Sequence, residues 1–143
     1  MTAYYENSAL EHVIEANTLL SGLGFESGGL SAAHAIHNGF TALEATHQYW
    51  HGEKVAFGTL AMLMLIDSDP QMIETVYHFC KSVGLPTTLA EIGLANVSDD
   101  DLMQVATLAC AQGESIHNSP AEISPETVFA AIKAANAEGL RRK

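Results

Sequence analysis

The chain has 143 residues, of which 48% are hydrophobic and 16% charged. That is enough apolar material for one domain with a real core, and it argues against disorder. The formal net charge is -11 with only 6 Lys and Arg, which disfavours nucleic acid and anionic membrane surfaces as partners. The longest apolar run, 55–66, falls well short of the roughly 20 residues that a membrane span requires. Tyr4, Tyr5, Glu6 and Asn7 stand where a secretory signal would carry basic residues and an apolar core. Cys80 and Cys110 sit in apolar surroundings, so they are expected as free thiols of a cytoplasmic protein rather than as a disulfide.

In chain order, a first helix is predicted from about Ser8 to Leu20, with Leu10, Val13, Ile14, Asn17 and Leu20 on one side at helical spacing. Glycines from Gly22 to Gly29 are expected to interrupt it. They do not make a phosphate cradle, because no strand precedes them and no Lys-Ser/Thr follows. Close helix packing is the expected use. A second helix, from Leu30 to about Leu43, is apolar or small on most of its surface and suits burial. After an aromatic loop, Glu44 to Trp50, His51 opens a long helix over Gly52 to Ile66 that reads as the centre of the core.

The later helices carry their own start signals. Asp69-Pro70 caps a helix from Gln71 to Val83, which Gly84 and Pro86 end. Thr88-Leu89-Ala90-Glu91 fits a capping box for a short helix to Leu94. Ser98-Asp99-Asp100-Asp101 starts a helix to Ala111, with acids placed well against its dipole. Ser124-Pro125-Glu126 starts the last helix, which is expected to end near Gly139 before a basic tail of Arg141, Arg142 and Lys143. Nothing alternates like a strand. The expected fold is an all-α helical bundle, a single domain over residues 1–143.

Seven histidines are present. His12 and His78 have no partner in sequence and are expected to be surface or packing residues. His117 stands in a turn and is expected to tie that loop down. His34, His37, His47 and His51 are unusually dense. Residues three apart share a helix face, so His34 and His37 can look into one pocket, and a loop of ordinary length can return His51 beside them. Neutral imidazole suits a divalent transition metal. Spacing alone leaves open both a metal site and histidines that simply bond backbone carbonyls, since no HExxH or CxxC pattern is present.

The same stretch carries a resemblance. GFESGGLSAAHAIHNG followed by HGEKVAFGTL resembles the glycerol dehydrogenase branch of the iron-containing (group III) alcohol dehydrogenases. The resemblance continues in ALEHVIEANTLLSG, VGLPTTLAEIGL and ACAQGESIHNSP. It implies the helical C-terminal domain of that family, and metal ligation by His34 and His51. His37 and His47 then become pocket residues around the metal. The family's nucleotide-binding domain, which holds NAD, and its aspartate metal ligand have no counterpart in the sequence.

Two of three ligands are therefore expected. Zinc or another divalent metal such as iron would bind weakly, with Glu26, Glu44 and Glu53 as nearby carboxylates that nothing in the spacing nominates. The family reaction would turn glycerol and NAD into dihydroxyacetone and NADH. The isolated chain is expected to show little or none of it. Exposure of the apolar face that packs on the nucleotide domain in that family predicts a homo-oligomer. A competing reading is a non-catalytic helical module that binds itself or full-length glycerol dehydrogenase and modulates it. A third is a stand-alone metal-binding protein, which needs a further ligand.

Overall fold

The computed structural model describes residues 8–143, with the side chains of residues 25–28 outside the description. Tyr4, Tyr5, Glu6 and Asn7 lie outside the described residues, as does the side chain of Glu26. Among the described residues every regular element is helical, in agreement with the all-α expectation. The chain divides into two compact units, one up to Leu30 and the other from Ser31 to Lys143.

The first unit is a helical path in three parts: α1 over Ser8–Glu15, a π-helical stretch over Ala16–Leu20, and α2 over Ser21–Gly28. Two side chains bond back to the helix at the π stretch. Asn17 Nδ2 donates to the Val13 carbonyl at 2.9 Å, and Thr18 Oγ1 donates to the Ile14 carbonyl at 2.7 Å. These side chains share carbonyls that the α ladder would use, and the Ser21 amide donates to the Ala16 carbonyl instead. The expected break at Gly22 does not occur. The helix runs through Gly22 and Gly24 and stops where Gly29 takes φ 68, a left-handed conformation that glycine adopts at little cost. Close packing at Gly22 and Gly24 is not found either. A Cβ built on either would meet nothing within 4 Å among the described residues.

The second unit holds α3 (Ala32–Phe40), α4 (His51–Leu65), α5 (Pro70–Ser82), α6 (Asp99–Ala109) and α7 (Pro125–Arg141), with 3-10 turns at Glu44–Thr46, Leu89–Ile92 and Ser115–Asn118. Helices α3 and α7 each pack against α4 and α6, and α5 packs on α4. The core takes Ile36 and Phe40 from α3, Phe57 and Leu60 from α4, and Tyr77 from α5. From the far side come Leu102 and Val105 of α6 and Val128 and Ile132 of α7. The Phe40 and Phe57 rings meet at 5.9 Å. The expected central position of 55–66 is met on one side only: Phe57, Leu60, Ala61 and Leu63 are buried, while Met62 and Met64 are partly exposed.

The start signals act as expected. Asp69 Oδ1 accepts from the Gln71 amide at 2.8 Å, Ser98 Oγ from Asp101 at 3.0 Å, and Ser124 Oγ from Thr127 at 3.2 Å. Glu91 Oε2 accepts from the Thr88 amide at 3.0 Å. The element that follows it is a single 3-10 turn ended by Gly93 at φ 85. Helix α3 is shorter than expected at both ends. Beyond Phe40 the Thr46 hydroxyl takes over, donating to the Phe40 carbonyl at 2.8 Å and to Leu43 at 2.9 Å.

Helix α7 runs past Gly139 to Arg141. Gly139 is there for proximity: a Cβ on it would stand 1.9 Å from the Thr87 carbonyl oxygen. The basic end is paired rather than free. Arg141 and Arg142 reach Glu138, Arg142 also reaches Glu74, and Lys143 lies 3.1 Å from Glu91. Both cysteines are free thiols, Cys80 buried and Cys110 partly so, as the sequence suggested.

Candidate functional site

Helix α3 is built to be surrounded. Ala32, Ala33, Ala35 and Gly39 keep it narrow, and all four are buried. Gly58 of α4 brings that helix against the α3 backbone, and Gly39 brings α3 against the Val105 carbonyl of α6. His34 and His37, one turn apart, thus face the first turn of α4. His51 opens that turn, and Glu53 Oε2 accepts from the Trp50 amide at 2.7 Å to hold it.

Three imidazoles meet as a result. The His37 and His51 rings lie 4.3 Å apart, edge to face at 69°, and the His34 and His51 rings lie 5.5 Å apart at 47°. His37 is only 8% exposed, His34 is half-buried and His51 is open to solvent. Burial lowers the pKa of His34 below the ordinary histidine value, and the neighbouring His51 pushes the same way. Burial also lowers that of His37. The bond to Asn38 opposes this, and His51, Lys54 and His34 reinforce it. Both rings therefore favour the neutral state, the form with a lone pair to offer.

The other candidates lie apart from this cluster. His47 Nε2 is 2.8 Å from the Thr41 carbonyl oxygen. His117 Nε2 is 3.3 Å from that of Ala111, so it ties its loop as expected. His12 and His78 are exposed. Glu53 is engaged at the start of α4. Glu44 lines a separate cavity of about 500 Å³ with Leu43, Gly93, Leu94, Val97 and Asp101, and none of the three clustered histidines borders it.

Two residues that the histidine spacing did not signal join the cluster. Lys54 is 7% exposed and donates to the Thr46 carbonyl at 3.3 Å. Asn38 stands 3.2 Å from His37 Nδ1. The polar residue directly after His37 was the available sign of the second; nothing in the sequence pointed to the first.

Neutral imidazoles have the donor chemistry of a transition-metal site. Their number falls short: among the described residues no group of three or more His, Cys, Asp or Glu is arranged to hold a metal ion. What the chain itself supplies is a partly buried imidazole cluster.

No protein-family model matches the chain. Over 135 residues it is 65% identical to a glycerol dehydrogenase of Thermotoga maritima, covering 94% of this chain and 37% of that protein. Over 131 residues it is 59% identical to a glycerol dehydrogenase of Citrobacter freundii, covering 92% and 36%. A crystal structure of a probable glycerol dehydrogenase from Sinorhizobium meliloti superposes with a TM-score of 0.90 at 50% identity, covering 94% of this chain and 38% of that one.

In fold and in sequence the chain thus matches one part of a dehydrogenase. That part is the C-terminal portion of the glycerol dehydrogenases. The chain spans a little over a third of the length of these relatives.

Proposed function

We propose that this chain is the metal-carrying helical part of an NAD-linked glycerol dehydrogenase, and that His34 and His51 are two of the metal's ligands. The observation that carries the reading is the junction of α3 and α4, where the His34 and His37 rings both come within 5.5 Å of the His51 ring. A bound zinc or ferrous ion would act as a Lewis acid on a substrate hydroxyl. The chain's own residues contribute neutral imidazoles and a buried cation, Lys54. Glycerol or a similar small polyol is the substrate class, by family. The missing donor and the NAD site are assigned to parts of the protein that this chain does not contain, so the chain alone has little or no dehydrogenase activity. No described helix is long and apolar enough to cross a membrane, and a cytoplasmic location is part of this reading.

The test is a calorimetric metal titration of the metal-free chain, with His34→Ala and His51→Ala as controls. Zinc binding weakened in both variants is expected. Binding indifferent to both would overturn the assignment.

A second reading, a helical module that associates with itself or with full-length glycerol dehydrogenase subunits, is favoured by one surface. Met72 and Phe79 of α5 and Val83, which caps its end, are each more than half exposed, and the seven-residue spacing puts the first two on one helix face. Light scattering at micromolar concentration tests it: a homo-oligomer is expected, and a clean monomer would remove self-association from the reading.

A further inference from the structure

The segment Gly113-Glu114-Ser115-Ile116-His117-Asn118 has no role in the reading above, yet two bonds tie it to the histidine helix. Ser115 Oγ donates to the Ser31 carbonyl, just before α3, at 3.0 Å. Glu114 Oε2 accepts from Asn38 Nδ2 at 2.9 Å. The second bond has a chemical consequence. A carboxylate only accepts, so the end of the Asn38 amide that faces Glu114 is its NH₂. The carbonyl end is then turned toward His37, with Oδ1 3.2 Å from His37 Nδ1. A carbonyl oxygen cannot donate, so the bond requires the proton to sit on Nδ1. A neutral ring carries one such proton, and its Nε2 is left with the lone pair.

We propose that Glu114 and Asn38 are positioning residues that hold His37 as the Nδ1–H tautomer, so that its Nε2 accepts a hydrogen bond from a hydroxyl group of the polyol. This rests on the reading of the imidazole cluster as the alcohol site. Hydroxyl recognition by a fixed acceptor is a common source of specificity, because an analogue lacking the hydroxyl leaves the acceptor unpaired. Ile116, fully buried, anchors the turn that carries Glu114. Asn38 itself is exposed, so the device works beside solvent and its hold on the tautomer is finite.

The test uses the chain with ¹⁵N-labelled histidine. Two-bond proton–nitrogen correlations report which ring nitrogen carries the proton, and His37→Gln identifies the His37 signal. At neutral pH His37 is expected as the Nδ1–H form. Asn38→Leu and Glu114→Ala should each shift the tautomer ratio about fivefold toward Nε2–H, the scale of one ordinary hydrogen bond. Glu114→Gln, whose amide oxygen can still accept from Asn38, should keep the original ratio. A merely structural role for Glu114 would not sort these variants in that way. Added glycerol should move the His37 Nε2 resonance in the unmodified chain, and should move it less in Asn38→Leu.

An Nε2–H form in the unmodified chain, or a ratio untouched by Asn38→Leu, would overturn the positioning role. A His37 Nε2 signal indifferent to glycerol would overturn hydroxyl recognition. The zinc titration with His34→Ala and His51→Ala reads the underlying site separately, so failure there leaves the tautomer result standing and removes only its purpose.

Discussion

Gly58 of α4 lies against Ala33 of α3 so closely that a Cβ on Gly58 would stand 2.4 Å from the Ala33 carbonyl oxygen. The obstacle is backbone, so a side chain there can be accommodated only by moving one helix from the other. Gly58→Ala is expected to cost about 1–3 kcal/mol, the usual scale for overpacking. It should also widen the approach of His51 to His34 and His37 and so weaken metal uptake. Urea unfolding and the calorimetric titration check the two effects. A variant as stable as the parent would show that α3 and α4 are less tightly docked than described.

Gly22 gives the opposite expectation. It lies inside α2, and a Cβ there meets nothing within 4 Å among the described residues. Alanine in a helix interior is better than glycine by about 0.5–1 kcal/mol. Gly22→Ala should therefore raise the helical signal in circular dichroism, or leave it unchanged with slower amide exchange around residue 22. A loss of helicity would contradict the helical path through that glycine.

Tyr77 is fully buried, and its hydroxyl donates to the Ala135 carbonyl at 2.7 Å, joining α5 to α7. Burial pushes its phenol well above the ordinary range, so it stays neutral at any working pH. The Arg142 guanidinium stands over the same ring at 4.9 Å. Tyr77→Phe keeps the ring and that contact but removes the bond, with an expected loss of about 1 kcal/mol. Chemical denaturation measures it, and no change would mean that the hydroxyl contributes nothing net.

The C-terminal ion pairs predict a pH dependence. The Arg141 side chain first, then Arg142, holds the Glu138 carboxyl down to about 2. The ordinary value of 4.5 applies in the unfolded chain. The unfolded state therefore takes up a proton first as pH falls. The stabilisation is fully present above pH 4.5 and is lost as pH drops through about 2. The pairs lie near solvent and are screened, so their worth is about 1 kcal/mol. Glu138→Gln should lower stability by that amount at pH 7, with the gap closing toward pH 2 and shrinking in high salt. A gap constant with pH would point to lost packing instead of lost charge.

Much of this was legible in the sequence because the signals were local. Asp69-Pro70, Ser98 and Ser124-Pro125 mark helix starts through bonds that span two or three residues. His34, His37 and His51 converge because a one-turn spacing and a loop of ordinary length leave them few alternatives. The rest was set by tertiary partners. Gly22 and Gly24 look like Gly39 and Gly58 in composition, yet only the latter pair meets a backbone oxygen. Helix α3 stops at Phe40, where Thr46, six residues on, and the Leu43 amide both donate to the Phe40 carbonyl. Lys54 is buried by what surrounds α4. Glu114 reaches Asn38 across 76 positions, a separation at which no spacing rule operates. Arg142 belongs to the basic tail that the sequence shows, and its ion pairs with Glu74 and Glu138 come from partners the tail itself does not announce.

The unequal depth of the two thiols opens a route to observation. Burial keeps both less reactive than an ordinary cysteine, but Cys80 is 4% exposed while Cys110 is half-open at the end of α6. Mildly alkaline conditions should therefore let a fluorophore be attached at Cys110 in preference to Cys80, without removing either by mutation. That label would sit four positions before Glu114 in the chain. Changes in the turn that touches the histidine helix would then be visible as an optical signal, in real time, during addition of metal or polyol.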